Sequence, residues 1–265
     1  MSRHMQPSGH NAALQDLDIR HILVADPRSV KFVRIPMRIA IVAATVGEIE
    51  PLLRFAALSR ETSTHAGRET PLNRFALMSV AAPHTVDVFV TGVGMVATAG
   101  HTAWALAHAR YGLALNLGLC GSFNRAVALG SVVHVTSDCL AELGAEDTDA
   151  FMTIEDLRLP GQSRFMNAKP PANAILSALP EVRGITVNTV HGRDNSIDDA
   201  VARFAPQVES MEGAAFMSAC LVAGVPFAQV RGVSNFVERR NPANWQVAKA
   251  IANLGRCALA LIRQP

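Results

Sequence analysis

Carboxylates and amides at the ends of apolar segments are the residues of this chain best placed to do chemistry. Thr45-Val46-Gly47-Glu48-Ile49-Glu50 follows an apolar run and opens a segment whose Leu52, Leu53 and Ala56 fall on one helical face. At about 100° per residue, Glu48 and Glu50 point some 200° apart, so at most one of them faces back toward the strand end. A carboxylate there can act as general base on a water, or it can simply complement the positive end of a helix dipole. Glu209 and Glu212, in Val208-Glu209-Ser210-Met211-Glu212-Gly213-Ala214-Ala215, precede a second helix of small apolar residues. Glu212 carries the same two readings: an acceptor for hydroxyl groups, or a helix-starting carboxylate. Asn235 stands at the end of the apolar run Pro226 to Val233. Its amide can offer a donor and an acceptor to a flat heterocycle, or it can bond its own turn.

Two glycine-rich segments sit at neighbouring strand ends, Thr91-Gly92-Val93-Gly94-Met95 and Gly118-Leu119-Cys120-Gly121-Ser122. Turns of this kind let a ligand approach the backbone closely, which suits a nucleoside or sugar pocket. They lack the third glycine of the dinucleotide fingerprint and the Lys-Ser/Thr of a P-loop, and glycine also serves such turns by adopting positive φ. The four cysteines, Cys120, Cys139, Cys220 and Cys257, form no CxxC pair, and the nine histidines form no HExxH. No metal site and no cofactor are expected, and the cysteine pattern fits a reduced, cytoplasmic setting.

These residues must be positioned by an α/β scaffold. Of 265 residues, 49% are hydrophobic and 17% charged, with 24 Lys plus Arg against 22 Asp plus Glu. That balance argues against a disordered chain and against a nucleic-acid partner. Mean hydropathy is +0.21, yet no apolar run approaches the roughly 18 residues of a membrane helix, so no membrane partner is expected. Strand-like runs occur at 37–44, 86–90, 113–117, 131–136, 185–190 and 226–233, with helical stretches at 47–58, 95–110, 171–179, 196–204, 212–223 and 243–262. Asn241-Pro242 opens the last helix in the cap and first-turn manner. Residues 1–36 show no sustained periodicity and are expected to form a mobile or loosely docked arm. A single catalytic domain is expected over 37–265, and 141–183 reads as an excursion or loop beside the sheet. Ligands of open α/β sheets bind beyond the carboxyl ends of the strands, where the residues above lie.

Taken in order, five segments resemble the purine nucleosidase and nucleoside phosphorylase superfamily, in particular its methylthioadenosine/S-adenosylhomocysteine nucleosidase branch. They are the MRIAIVAATVGEIEPLL opening, TGVGMVATAG, NLGLCGSF with the following VALGSVVHVTSD, SMEGAA and VRGVSN. The resemblance spans Met37 to the C-terminus and implies a mixed central β-sheet flanked by helices, the nucleoside phosphorylase/hydrolase fold. Adenine-acting members carry an aspartate where this chain has Asn235. A carboxylic acid can protonate N7 of a departing adenine; an amide cannot, but it can donate hydrogen bonds toward N7 and a 6-oxo group. Asn235, the Met-Glu-Gly-Ala-Ala segment and Phe236-Val237-Glu238-Arg239-Arg240-Asn241 resemble the futalosine hydrolases of menaquinone biosynthesis.

The resemblance implies release of hypoxanthine from futalosine through an oxocarbenium-like transition state. It places Glu48 as the water-activating carboxylate, Glu212 as the clamp on the ribose hydroxyls, Met211 against the sugar face and Asn235 on the base. Thr91 and Gly92 match a serine-glycine pair that borders the ribose, and Cys120 and Gly121 shape the pocket wall. The aromatic carboxylate on the 5′ chain of futalosine requires a cation, with Arg164, Arg239 and Arg240 all open, and Val190-His191-Gly192 lies near the base wall, although His191 can equally be a surface residue. A Glu48 carboxylate repels phosphate, favouring hydrolysis over phosphorolysis, while Arg125 or Arg231 could still supply an anion contact. The alternatives are a methylthioadenosine/S-adenosylhomocysteine nucleosidase, a 6-oxopurine nucleoside phosphorylase and a non-catalytic nucleoside-binding protein. Relatives of this architecture also imply a homodimer or larger homo-oligomer.

Overall fold

The computed structural model describes residues 36–54, 58–65, 68–77, 84–148 and 150–263, with the backbone alone described between 58 and 77. The elements run β1 (Arg38–Ala43), α1 (Val46–Arg54), β2 (Leu58–His65), β3 (Arg68–Leu77), β4 (Thr85–Val90), α2 (Met95–His108), β5 (Leu113–Ser122) and β6 (Val132–Cys139). They continue with β7 (Gly144–Asp147), β8 (Ala150–Thr153), β9 (Arg164–Met166), α3 (Ala174–Ser177), β10 (Glu181–Thr186) and α4 (Asp194–Phe204). The last are β11 (Val208–Ser210), α5 (Gly213–Ala223), β12 (Phe227–Phe236) and α6 (Val247–Arg263).

Strand β1 shows why the sequence reads as a two-sided buried strand. Alternate residues Ile39, Ile41 and Ala43 join Ile49, Leu52 and Leu53 of α1 and Leu254, Ala258, Leu261 and Ile262 of α6. Ala40 and Val42 face the other way, into a cluster with Ala105 and Leu106 of α2 and Ala214, Phe216, Met217 and Cys220 of α5. The period of two thus feeds two cores, one on each face of the sheet. Each fully buried aliphatic side chain stabilises the fold by about 1.5–3 kcal/mol relative to exposure.

The sheet is mixed and ten-stranded, in the order β11-β10-β6-β12-β5-β1-β4-β3-β2, with β9 on β6. β1 pairs in parallel with β4 and β5, and β12 in parallel with β5 but antiparallel with β6. The short β11 returns to pair antiparallel with the end of β5, Val208 opposite Ser122 and Glu209 opposite Gly121. Strands β5, β12, β6, β10 and β11 therefore close on one another, which removes the sheet edge that β11 would otherwise present.

Several expectations are corrected. Gly118-Leu119-Cys120-Gly121-Ser122 is not a turn: it continues β5, because β12 and β11 both pair with it. The expected loop over 141–183 holds the β7–β8 hairpin, β9, the short α3 and the start of β10. The strand expected at 185–190 begins at Glu181 and ends at Thr186. Asn241 caps a 3₁₀ turn over Pro242–Asn244 rather than α6 itself, accepting from the Ala243 N–H at 3.3 Å. The helix expected at 47–58 ends at Arg54, and β2 and β3, unforeseen in the sequence, follow. The arm expected over 1–36 lies, save for Pro36, outside the described residues. Among the described residues no helix is long and apolar enough to cross a membrane.

Candidate active site

A cavity of about 340 Å³ opens at the carboxyl ends of the central strands, lined among others by Glu48, Cys120, Gly121, His191, Met211, Glu212 and Asn235. It brings together six segments that lie apart in the chain, at 44–48, 93, 119–121, 190–191, 209–212 and 234–245.

Glu48 arrives on the first turn of α1 through a capping box. Its Oε2 accepts from the Thr45 N–H at 2.9 Å and from the Thr45 hydroxyl at 3.2 Å, while the Glu48 N–H points back to Thr45 Oγ1 at 3.4 Å. Oε1 accepts from the Leu119 N–H of β5 at 3.0 Å. Glu48 thus complements its helix and faces the cavity at once, whereas Glu50 pairs with Arg54 in solvent at 2.6 Å. Gly118 of β5 is what lets the two elements approach: a Cβ there would stand 2.3 Å from Arg231 Nη1 and 2.8 Å from Glu48 Oε1.

Glu212 is the N-cap residue of α5, yet its side chain makes no cap hydrogen bond. Buried to 5% exposure, it accepts from the Gly94 N–H at 3.1 Å and meets Arg231 Nη1 at 3.6 Å. Arg231 is only 1% exposed and also donates to Asn116 Oδ1. A buried guanidinium is retained where carboxylates and amides satisfy it. Behind α5, Asp138 takes hydrogen bonds from Gln229 at 2.9 Å, Thr186 at 2.9 Å and the Cys139 N–H at 2.8 Å. Thr186 in turn accepts from the Ala214 N–H of α5 at 2.7 Å. Burial, outweighing these hydrogen bonds, raises the Asp138 carboxyl to about 6.

Asn235 owes its orientation to an irregularity in β12. Val233 pairs with Cys120 but Asn235 pairs with Gly121, so Ser234 is an extra residue and the strand bulges. Bulges re-aim side chains beside sites. The Ser234 hydroxyl donates to Asn235 Oδ1 at 2.7 Å, and Asn235 Nδ2 donates to the Phe236 carbonyl at 3.0 Å. One N–H of that amide remains for a ligand.

The other expected residues separate into two groups. Cys120, Gly121 and Met211 line the cavity; burial pushes the Cys120 thiol up to about 12, so it lines the wall as a neutral group. Thr91 and Gly92 are not among the lining residues: the Thr91 hydroxyl turns inward toward the Ala43 and Gly92 carbonyls and Thr98. Their turn contributes Val93 to the wall and the Gly94 N–H to Glu212, with Gly92 and Gly94 at φ 90° and 97° as only glycine readily allows. His191 is a cavity residue rather than a surface one, its ring Nδ1 held by Glu209 Oε2 at 2.5 Å. That pairing, and the Ser234 and Trp245 contributions, escaped the sequence because each joins segments with no local pattern in common. Among the described residues no group of three or more His, Cys, Asp or Glu gathers as metal ligands.

The phosphorylase superfamily profile matches residues 38–263. The chain is 35% identical over 186 residues to the futalosine hydrolase of Acidothermus cellulolyticus, covering 67% of this chain and 75% of the relative. Its fold superposes on a Helicobacter pylori methylthioadenosine/S-adenosylhomocysteine nucleosidase variant holding methylthioadenosine, with a TM-score of 0.72 at 15% identity, covering 86% of this chain and 99% of that one. It superposes equally on the futalosine hydrolase of the same organism, with a TM-score of 0.70 at 14% identity, covering 85% and 97%. The structural likeness thus establishes the fold, and the sequence likeness separates the branches: the chain belongs to the phosphorylase superfamily and, within it, to the futalosine hydrolase family.

Proposed function

We propose that the chain hydrolyses the N-glycosidic bond of futalosine, releasing hypoxanthine. The observation that carries this reading is the pinned amide of Asn235 in one cavity with Glu48 and Glu212. The Ser234 hydroxyl occupies the amide oxygen, so the free N–H faces the ligand and suits the N7 acceptor of a 6-oxopurine. As the C1′–N9 bond breaks, its electron pair passes to the purine, and the Asn235 N–H stabilises the charge gathering at N7. Glu212 accepts from the ribose 2′ and 3′ hydroxyls, and Met211 packs against the sugar. Glu48 takes a proton from the water that attacks C1′, and the proton lost by water is matched by one taken up by the departing base. Thr91 and Gly92 act here by shaping the turn that delivers Gly94 to Glu212.

Hydrolysis is favoured over phosphorolysis because both arginines that could meet phosphate are engaged. Arg231 faces Glu212, and Arg125 pairs with Glu238 at 2.5 Å and lies over the Phe236 ring. A non-catalytic binding protein needs the clamp and the base contact but not a carboxylate at position 48. We infer a cytoplasmic homodimer or larger homo-oligomer, with residues 1–36 as an arm and 37–265 as a single catalytic domain. Val93 at the cavity wall and Val96 are 57% and 87% exposed, an apolar edge that a second copy would cover.

The test is chromatography of free purine released from futalosine, inosine and methylthioadenosine, with and without phosphate. Hypoxanthine from futalosine in phosphate-free buffer is expected. Release that requires phosphate would make the protein a phosphorylase, adenine release would reassign Asn235, and binding without release would make it a nucleoside-binding protein.

A further inference from the structure

Among the described residues, four carboxylates, Glu48, Glu209, Glu212 and Glu238, line the cavity, and against them stands a single Lys or Arg, Arg240. Each acid is already engaged: Glu48 by the Leu119 N–H, Glu209 by His191, Glu212 by Gly94 and Arg231, and Glu238 by Arg125. Arg240 is different. Its guanidinium carbon lies 4.8 Å above the centroid of the Trp245 ring, and no carboxylate among the described residues pairs with it. The two other arginines open to this role are placed elsewhere. Arg239 pairs with Asp194 at 2.6 Å in a separate surface depression, and Arg164 lies over Phe204 on β9.

The segment that carries Arg240 is itself held down. Asn244 N–H donates to the Asn241 carbonyl at 3.1 Å and Gln246 N–H to the Ser234 carbonyl at 2.7 Å, which ties the loop after β12 to the bulge that orients Asn235. The Arg240 backbone passes Gly192, where a Cβ would lie 3.5 Å from Arg240 Cβ. Stacking on Trp245 fixes the plane of the guanidinium and leaves its edge of N–H donors for a bidentate acceptor.

Resting on the reading of the cavity as a futalosine site, we propose that Arg240, stacked on Trp245, is the group that selects the substrate by the carboxylate of its 5′ aromatic extension. The acidic remainder of the cavity repels that carboxylate, so the extension is admitted in one orientation only. Inosine shares the base and ribose and lacks the extension, so the ratio of kcat/KM for futalosine over inosine isolates the contribution of this subsite.

The experiment measures that ratio for the full chain and for Arg240→Gln, Arg240→Lys and Arg239→Gln, at low and high salt. Arg240→Gln is expected to lower the ratio by about 10- to 100-fold, through KM rather than kcat, as for loss of a charge-assisted bidentate contact. Arg240→Lys restores part of it, Arg239→Gln leaves it in place, and salt lowers it in the parent protein more than in Arg240→Gln. The methyl ester of futalosine should be hydrolysed with similar kcat/KM by the parent and by Arg240→Gln. An unchanged ratio in Arg240→Gln, an equal loss on both nucleosides, or the same loss in Arg239→Gln overturns the assignment. Hypoxanthine release from inosine but not from futalosine by the parent protein overturns instead the proposed function, and the subsite with it.

Discussion

Glu48 is held by more partners than a surface carboxylate at a helix start requires, and those partners decide what its replacement does. In Glu48→Gln the side-chain oxygen can still accept from Leu119 N–H, so the wall keeps its shape, but no basic carboxylate remains to take a proton from water. We expect kcat to fall about 100-fold or more with KM changed only severalfold, read by single-turnover hypoxanthine release; unchanged turnover would remove Glu48 from the mechanism. Asn235 makes the complementary prediction. Aspartate at 235 can still accept from Ser234, but it has no N–H to offer N7 of a 6-oxopurine and its charge opposes the charge gathering there. Asn235→Asp should therefore depress release of hypoxanthine and raise release of adenine. A variant that gained adenine nucleosides while keeping full activity on hypoxanthine ones would sink this account of base selection.

At the scale of elements, the site depends on where strands end and how closely they pass. Gly118→Ala would insert a methyl between the half-buried Glu48 carboxylate and the fully buried Arg231, which Glu212 and Asn116 hold in place. A loss of about 1–3 kcal/mol, typical of overpacking, is expected together with reduced turnover, measured by denaturant melts and kinetics on one preparation. Asp138, beneath the start of α5, gives a pH test. Its carboxyl is raised from 3.8 to about 6, chiefly by burial, so the fold binds this proton more tightly than the unfolded chain does. Its contribution is fully present below the unfolded value and is lost as pH rises through about 6. Asp138→Asn should remove that slope, flattening thermal stability between pH 4 and 7 relative to the parent by up to about 3 kcal/mol. The Gln229 side-chain oxygen, buried without a partner, is available to the new amide if the Gln229 amide turns over. A slope that persists in the variant would place the titration elsewhere. Much at this scale was legible: Met37 to Ala44 reads as a two-sided buried strand because its alternate residues enter two cores. The continuation of β5 through Gly118-Leu119-Cys120-Gly121-Ser122 was not, because two glycines signal a turn locally and only pairing with β12 and β11 makes them a strand.

At the scale of the whole molecule, the cavity exists because the sheet closes. β11 is three residues long and carries no periodicity of its own, yet its pairing with the end of β5 brings Glu209 beside Gly121 and sets the start of α5, and with it Glu212, over the strand ends. Such a closure joins residues some ninety positions apart and leaves no trace in local pattern, which is why the residue types at the site were readable and the His191–Glu209 pair was not. The same view of the molecule predicts the outcome of removing residues 1–35. Among the described residues, those that line the cavity lie between Ala44 and Trp245, and those that build the two large cores lie at or beyond Met37. If the arm stands apart from the catalytic domain, a chain beginning at Pro36 keeps its thermal midpoint within a few degrees, given about 2–4 °C per kcal/mol for a domain of this size. Its kcat/KM for futalosine should stay within about twofold, since every described lining residue is retained. Sedimentation of both chains separates the remaining roles. A truncated protein that dissociates would place the arm in the subunit interface. A truncated protein that keeps its assembly but loses affinity for futalosine would place it at the cavity mouth, where Val93 and Arg240 stand open to solvent.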